Sequence, residues 1–283
     1  MTVRPPIRAV FTALMMLATA AAAAADQPET FTRLDLTDTS IGFTSPGNAY
    51  GPWNIQDLRA TFSQTGRGAV ALELAHQTDG DVNYPTHGNY IGAGIIRDLS
   101  SRFYAYLNYG YGTASPYVKT DLHLEADYKA TPDLKLVFGG SEDFVTYYSN
   151  TALTELSVGP MYYFDRGDLM VHYTVSNNTN AATKSGVWIA GDYIPTFRSK
   201  YTVTALLGPQ QYQVALPAIP LAMQSVAGQT YTLSTEQQIG RTDSSGRRWG
   251  IKAGAFLSSL KNTAGGSLFY VGRGLDAGLW VTQ

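Results

Sequence analysis

Apolar and ionisable residues alternate along residues 117–129. Every second residue from Val118 belongs to an almost wholly apolar set, and the positions between them are Lys, Asp, His or Glu. Successive side chains of a strand point to opposite faces, so this pattern predicts a strand with one apolar and one polar face. Soluble strands usually have about 5–6 residues, whereas a tilted membrane-spanning strand needs roughly 9–11. The length therefore favours a transmembrane strand over a surface strand of a soluble sandwich.

Similar segments recur along the chain and predict fourteen strands, with twelve as the alternative. The expected strands are 33–43, 55–64, 69–77, 88–98, 102–112, 117–129, 133–146, 151–164, 169–177, 184–194, 199–208, 228–240, 247–259 and 266–282. Short turns alternate with longer connections at 45–54, 78–87, 176–183 and 209–227, a rhythm typical of outer-membrane barrels. An open sheet edge in lipid would leave backbone groups without partners. The sequence therefore predicts an all-β, closed antiparallel transmembrane β-barrel with an up-and-down meander.

The N-terminus has the features of an export signal. Arg4 and Arg8 precede an alanine-rich apolar stretch, and Ala23 and Ala25 fit the small-residue rule for cleavage. We expect residues 1–25 to be a signal peptide, residues 26–283 to form the barrel domain, and the protein to reside in the cell outer membrane.

Composition narrows the function classes. The chain has no cysteine, so it is not a disulfide-stapled secreted domain. Its net charge is −2, which argues against a nucleic-acid surface because that would need clustered Lys and Arg. The 19 tyrosines and 28 glycines suit a barrel with aromatic girdles.

The polar faces of the expected strands supply candidate lumen charges. These are Arg59, Glu73, Lys119, Asp121, His123, Glu125, Asp127 and Lys252, with Lys135, Glu155, Glu236 and Arg248 on the same faces. They would either set ion or solute selectivity or form cross-strand ion pairs that stiffen a wet interior. Asp121, Glu125 and Asp127 are the best candidates for a preference for cations. Barrels of about 8 strands are filled and those of 16–18 are open, so fourteen predicts a narrow pore or one plugged by residues 209–227.

An enzyme would need a histidine paired with a nucleophile. His172 and Ser176 share a strand face, but four residues of strand separate them by roughly 13 Å, too far for a direct hydrogen bond. We therefore expect no catalytic residues, no metal site and no cofactor. Pro160, inside a strand, predicts a bulge. Tyr104, Tyr106, Tyr109 and Tyr111 favour a membrane girdle over a sugar-stacking ladder.

Spaced residues in the middle of the chain resemble the YaiO family of outer-membrane barrels. They are Ser115-Pro116, Tyr147-Tyr148, Gly159-Pro160 and His172-Tyr173, and the similarity is best between about 100 and 176. The resemblance implies a barrel in a Gram-negative outer membrane and supplies no activity. Related barrels in polysaccharide exporters suggest glycan-related transport as an analogy. Such barrels tend to end in an aromatic residue read by the assembly machinery, and here either Trp280 serves that role or assembly is less efficient.

The leading functional hypothesis is a narrow channel or a porin-like protein for a glycan or small solute. A structural or surface-binding barrel without conductance is one alternative, and a lipid-modifying barrel enzyme using His172 is the other. The expected partners are outer-membrane lipid and lipopolysaccharide, the barrel-assembly machinery and a glycan or small solute, but no nucleic acid.

Overall fold

The computed structural model describes residues 30–45, 51–64, 68–80, 86–113, 120–145, 151–178, 181–216, 219–262 and 268–283. They form fourteen antiparallel strands that pair in chain order into a closed barrel, which confirms the predicted fold and the larger strand number. The strands are β1 (Thr30–Thr44), β2 (Trp53–Gln64), β3 (Gly68–Asp79), β4 (Thr86–Asp98), β5 (Phe103–Gly112), β6 (Thr120–Lys129), β7 (Leu134–Val145), β8 (Thr151–Phe164), β9 (Gly167–Asn178), β10 (Ala181–Thr196), β11 (Ser199–Leu216), β12 (Ile219–Ile239), β13 (Arg248–Asn262) and β14 (Leu268–Thr282). The described residues include no helix long and apolar enough to cross a membrane.

The first and last strands close the barrel. β1 pairs with β14 from Arg33 opposite Thr282 to Thr44 opposite Val271. Two backbone hydrogen bonds, of 2.8 and 2.9 Å, join Thr32 and Gln283 beyond this ladder. The start of β1 and the end of β14 therefore lie at one end of the barrel, called the termini end below. The opposite end is called the far end.

The alternation of the sequence corresponds to the two faces of the wall. Leu122 and Leu124 lie on the outer face of β6, where they are 40% and 56% exposed. Asp121 and Glu125, of the opposite parity, lie on the inner face. A lipid-facing apolar surface and a polar lumen are what a membrane barrel requires.

Two expected far-end loops are instead strand. Residues 209–227 were predicted as a loop that could plug the lumen, but β11 continues to Leu216 and β12 starts at Ile219. From Gln210 to Leu216, β11 pairs only with β12 among the described residues, so the two strands form a ribbon beyond the ladder shared with β10. The expected loop at 176–183 is likewise mostly β9 and β10. Both regions are polar or proline-containing, and pairing outweighed these local signals.

Pro160 does not produce the predicted bulge. It lies on the outer face of β8, and the register with β9 is the same on either side of it. The register with β7 also continues through Leu136 opposite Pro160. The sheet therefore accommodates the missing N–H of proline without inserting a residue.

The four tyrosines of β5 divide between the faces. Tyr109 and Tyr111 lie outside, 54% and 42% exposed, as expected of a girdle. Tyr104 and Tyr106 have the other parity and point into the lumen, where Tyr104 lies opposite Asp127 and Tyr106 opposite Glu125. The predicted common girdle is therefore wrong for these two.

Candidate functional site

The predicted lumen charges that the structure describes lie on the inner wall. One row of directly opposed inward positions runs through Asp35, Arg59, Glu73, Gly92, Gly110 and Asp121. His123, Glu125 and Asp127 follow Asp121 on the inner face of β6, and Lys252 is on β13. Lys119 lies outside the described residues.

An ionic cluster bridges the closing seam on the inside. The Arg33 guanidinium contacts Asp35 at 2.7 Å and Glu236 at 2.8 Å. The Lys252 ammonium contacts the same two carboxylates at 2.5 and 3.7 Å. Between them β14 contributes Gly278, which has no side chain, and Trp280, whose ring lies 5.2 Å from the Arg33 guanidinium carbon. Side chains from three strands therefore reach one another across β14.

A second ion pair is buried in the opposite wall. Lys135 Nζ lies 2.7 Å from Asp127 Oδ2, and the two side chains are only 6% and 1% exposed. The ammonium also lies 4.4 Å from the ring centre of Tyr104 and 5.6 Å from that of Tyr163. Aromatic faces attract cations, so these rings add to the carboxylate in holding Lys135 in place.

A third pair joins β10 to β11. Lys200 Nζ lies 2.7 Å from Asp192 Oδ2, and the Thr202 hydroxyl donates to the other oxygen at 2.6 Å. Its side chains are 38% and 23% exposed, so this pair is much wetter than the pair of Lys135.

Carboxylates on β2, β3 and β6 have a different environment. Asp57, Glu73, Asp121 and Glu125 face the lumen, and none forms an ion pair with a lysine or arginine among the described residues. His123 Nε2 lies 4.0 Å from Glu125 Oε2. The four carboxylates Asp57, Glu73, Asp121 and Glu125 are called the acidic wall below.

Two glycines within the acidic wall make room for neighbouring polar side chains. Gly92 and Gly110 lie between Glu73 and Asp121 in the inward row. The space beside Gly110 is taken by the Tyr90 hydroxyl and the Asp121 carboxylate, which a Cβ at Gly110 would contact. Asn108 Nδ2 also donates to Asp121 at 3.4 Å. The wall thus presents carboxylates backed by tyrosine and amide groups, a surface suited to hydrated cations or hydroxyl-rich solutes.

His172 is enclosed in the inner wall. It is 1% exposed, its ring meets Trp188 edge-on at 5.6 Å, and neither ring nitrogen has a hydrogen-bond partner among the described residues. Thr174 and Ser176 follow on the same face and are also buried. No group of three or more His, Asp and Glu in the described part of the chain is arranged to hold a metal ion.

Several members of these clusters were not predicted from the sequence. Arg33 and Asp35 lie on the first strand, and Asp57, Asp192 and Lys200 were not singled out. The inward parity of Arg33-Asp35-Thr37-Thr39 was a usable signal for the first two. Parity alone did not predict the pair of Lys135 and Asp127, because Lys135 lies opposite Lys129 and reaches Asp127 diagonally.

Comparisons with known proteins agree with the fold. The model of the YaiO membrane beta barrel domain matches residues 37–206. The chain is similar to the Pseudomonas putida TodX monoaromatic hydrocarbon channel deltaS2 mutant, with a TM-score of 0.51, 9% identity, and coverage of 91% of this chain and 90% of that chain. It is also similar to a Pseudomonas aeruginosa FadL homologue, with a TM-score of 0.50, 12% identity, and coverage of 93% and 91%. The Ralstonia pickettii toluene transporter TbuX gives a TM-score of 0.50 at 11% identity, with coverage of 91% and 89%. At these identities the similarity shows a shared barrel fold. No curated protein matches the sequence.

Proposed function

Because the chain belongs to the YaiO family of membrane β-barrels, we propose that it is a narrow outer-membrane channel whose lumen favours small cations. The family and the closed barrel identify an outer-membrane protein. Its structural neighbours include channels and transporters, which agrees with this proposal.

The distribution of lumen charge carries the proposal. Lys135, Lys200, Lys252 and Arg33 are each held by carboxylates, so their fields are largely cancelled. Among the described residues the acidic wall has no such ion pairs, and Arg59 is the basic residue within its rows. A wall on which one sign of charge predominates, in a pore with low-dielectric walls, concentrates ions of the opposite sign. Cations are therefore enriched over anions along this wall.

Planar-bilayer recording tests the proposal. Purified, folded protein under a KCl gradient should give discrete conductance steps with a reversal potential of the sign for K⁺ selectivity. Neutralising Glu73→Gln together with Asp121→Asn should reduce that reversal potential by at least half. Asp38→Asn removes a carboxylate from the outer face and serves as the control, which should leave selectivity unchanged.

Two results would contradict different parts of the proposal. A folded barrel that never conducts would favour a structural or surface-binding barrel. Conductance with a selectivity unaffected by the double variant would retain the channel but dismiss the acidic wall as its filter.

Inward tyrosines favour a small glycan as a second candidate solute. Tyr90 lies beside Asp121, and Tyr106 lies opposite Glu125, so rings and carboxylates alternate on one wall. Sugar faces stack on such rings, and their hydroxyls donate to carboxylates. Added oligosaccharide should then block the K⁺ current reversibly, and Tyr106→Ala should weaken the block. Current that is insensitive to sugars would exclude this solute class.

The position of His172 argues against a lipid-modifying enzyme. An attack on lipid needs a nucleophile within hydrogen-bond reach of a base and access to the substrate. His172 faces inward and is enclosed, and Ser176 lies roughly 13 Å along the same strand. Unchanged membrane lipids on overexpression would agree with this reasoning, and a change abolished by His172→Ala would refute it.

A further inference from the structure

The apolar band on the outside of the barrel is short on β1–β4. Residues directly opposite each other on neighbouring strands share a face and form rows. Two apolar rows on this wall are Leu36–Leu58–Leu74–Ile91 and Leu34–Ala60–Leu72–Ala93, followed towards the termini end by Phe62, Val70 and Ile95. On β2 the band thus extends from Leu58 to Phe62, about 13 Å of strand, or about 10 Å of height at a tilt near 40°.

Other parts of the barrel have a band about twice as tall. On β8 the outward residues from Leu156 to Phe164 are all apolar or aromatic, and both ends of this run are exposed, by 61% and 44%. That run covers about 26 Å of strand, or about 20 Å of height, close to the band of about 25 Å of outer-membrane barrels. The outer surface therefore matches a bilayer over β8 but not over β1–β4.

Polar side chains replace the missing part of the band. Towards the far end, the next two rows of the β1–β4 wall are Asp38–Gln56–His76–Asn89 and Ser40–Asn54–Thr78–His87. These eight residues are called the outer polar patch. Gln56 lies as many residues from the turn at the termini end as Leu156 does on β8, so the first of these rows lies at a height where β8 is apolar. Within the patch, His76 Nδ1 and Asn89 Oδ1 are 2.9 Å apart.

We propose that the β1–β4 wall is the interface between two copies of this chain in the membrane. Hydrocarbon offers no hydrogen-bond partners, and a short apolar band strains the surrounding bilayer. A second copy removes both problems. The proposal concerns the outside of the barrel and holds whether or not the lumen conducts.

The patch is complementary to itself about a two-fold axis between β2 and β3. Such an axis, normal to the membrane, places each strand of β1–β4 opposite its counterpart counted from the other edge. Gln56 faces His76 of the second copy, and each of these carries both a donor and an acceptor. Below them, Leu58 faces Leu74 of the second copy.

The wall has room for a small interface. Four strands spaced about 4.8 Å apart are about 19 Å wide, and twelve residues of strand are about 40 Å long. Because the wall of a closed barrel is convex, each partner buries less than the resulting face of about 760 Å², and so less than the roughly 800 Å² per partner of a standard interface. The small side chains of Ala60 and Ala93 allow close approach of the two walls.

Single-cysteine cross-linking tests the interface, since the natural chain has no cysteine. Gln56→Cys lies beside the proposed axis, and Leu156→Cys lies at matched height on β8. Cells carrying each variant are treated with a short bismaleimide, and folding is verified by heat-modifiable mobility. Gln56→Cys should give a cross-linked dimer at least tenfold more abundant than Leu156→Cys. Asn54→Cys, one row further along β2, repeats the test if Gln56→Cys does not fold.

A second variant links the dimer to the polar patch. Introducing Asp38→Leu and His76→Leu into the Gln56→Cys chain lengthens the apolar band and should lower the dimer yield at least threefold. Equal yields at the two cysteine positions, or no dimer at either, would overturn the proposal. A wall that instead thins the bilayer would give no specific dimer, and the unmodified chain would then fold best in short-chain lipid.

Discussion

Removing the Lys135 ammonium should destabilise the barrel far more than removing a comparable surface charge. Lys135→Met keeps most of the apolar stem against Tyr104 and Tyr163 but leaves the Asp127 carboxylate, 1% exposed, without its cation. Breaking a buried ion pair by removing one partner costs about 3–5 kcal/mol, because the remaining charge cannot recover its hydration. We expect a loss of this size in the free energy of unfolding.

Lys200→Met provides the matched control. Its ion pair with Asp192 has the same length of 2.7 Å, but the side chains are 38% and 23% exposed. Solvent-exposed pairs contribute about 0–1 kcal/mol, so the control should cost less than about 1 kcal/mol. The two variants therefore separate the effect of burial from the effect of losing an ion pair.

Equilibrium urea unfolding in phospholipid vesicles, followed by the fluorescence of the four tryptophans, measures both losses. Adding Asp127→Leu to Lys135→Met should recover most of the lost stability, because replacing both partners of a buried pair by apolar residues is often neutral or better. Equal costs for Lys135→Met and Lys200→Met would refute the reasoning, since they would mean that water reaches Asp127.

Two further predictions concern the wall and a turn. Leu124→Lys puts a charge on the outer face, at a residue 56% exposed, and should cost about 2–4 kcal/mol of unfolding free energy in the same vesicle assay, whereas His123→Lys on the inner face should cost much less. Asp243 accepts hydrogen bonds from the Ser245 hydroxyl and N–H and from the Arg247 N–H in the β12–β13 turn, and these lower the pKa of its carboxyl. Asp243→Ala should therefore speed tryptic cleavage at this turn, and cleavage at the natural rate would contradict this. In the natural chain, the turn amides should be protected from hydrogen exchange above the ordinary carboxyl pKa. This protection should disappear as the pH falls through the lowered pKa of Asp243.

The sequence was most informative where the two strand faces differ in polarity. β6 could be oriented because Leu122 and Leu124 alternate with ionisable residues, and its charges lie on the expected face. β5 could not be oriented, since tyrosines occupy both parities and a tyrosine suits either a girdle or a lumen.

Contacts between strands required the register. Arg33 and Glu236 are distant in sequence and meet only because β1 closes on β14, next to β13 and β12. The ribbon beyond Gly208 was missed for a different reason, because glycine and proline mark a turn locally while backbone pairing with β12 continues past them.

The hydrogen bonds between Thr32 and Gln283 make the start of β1 and the end of β14 neighbours on one rim. A short linker could join them without crossing the bilayer, and new ends could then be opened at another connection on the same rim, such as the two-residue turn between β8 and β9. Every ladder of the cylinder would be retained in such a circular permutant. The strand that is synthesised last, and that therefore closes the barrel, could thus be changed without altering the folded structure.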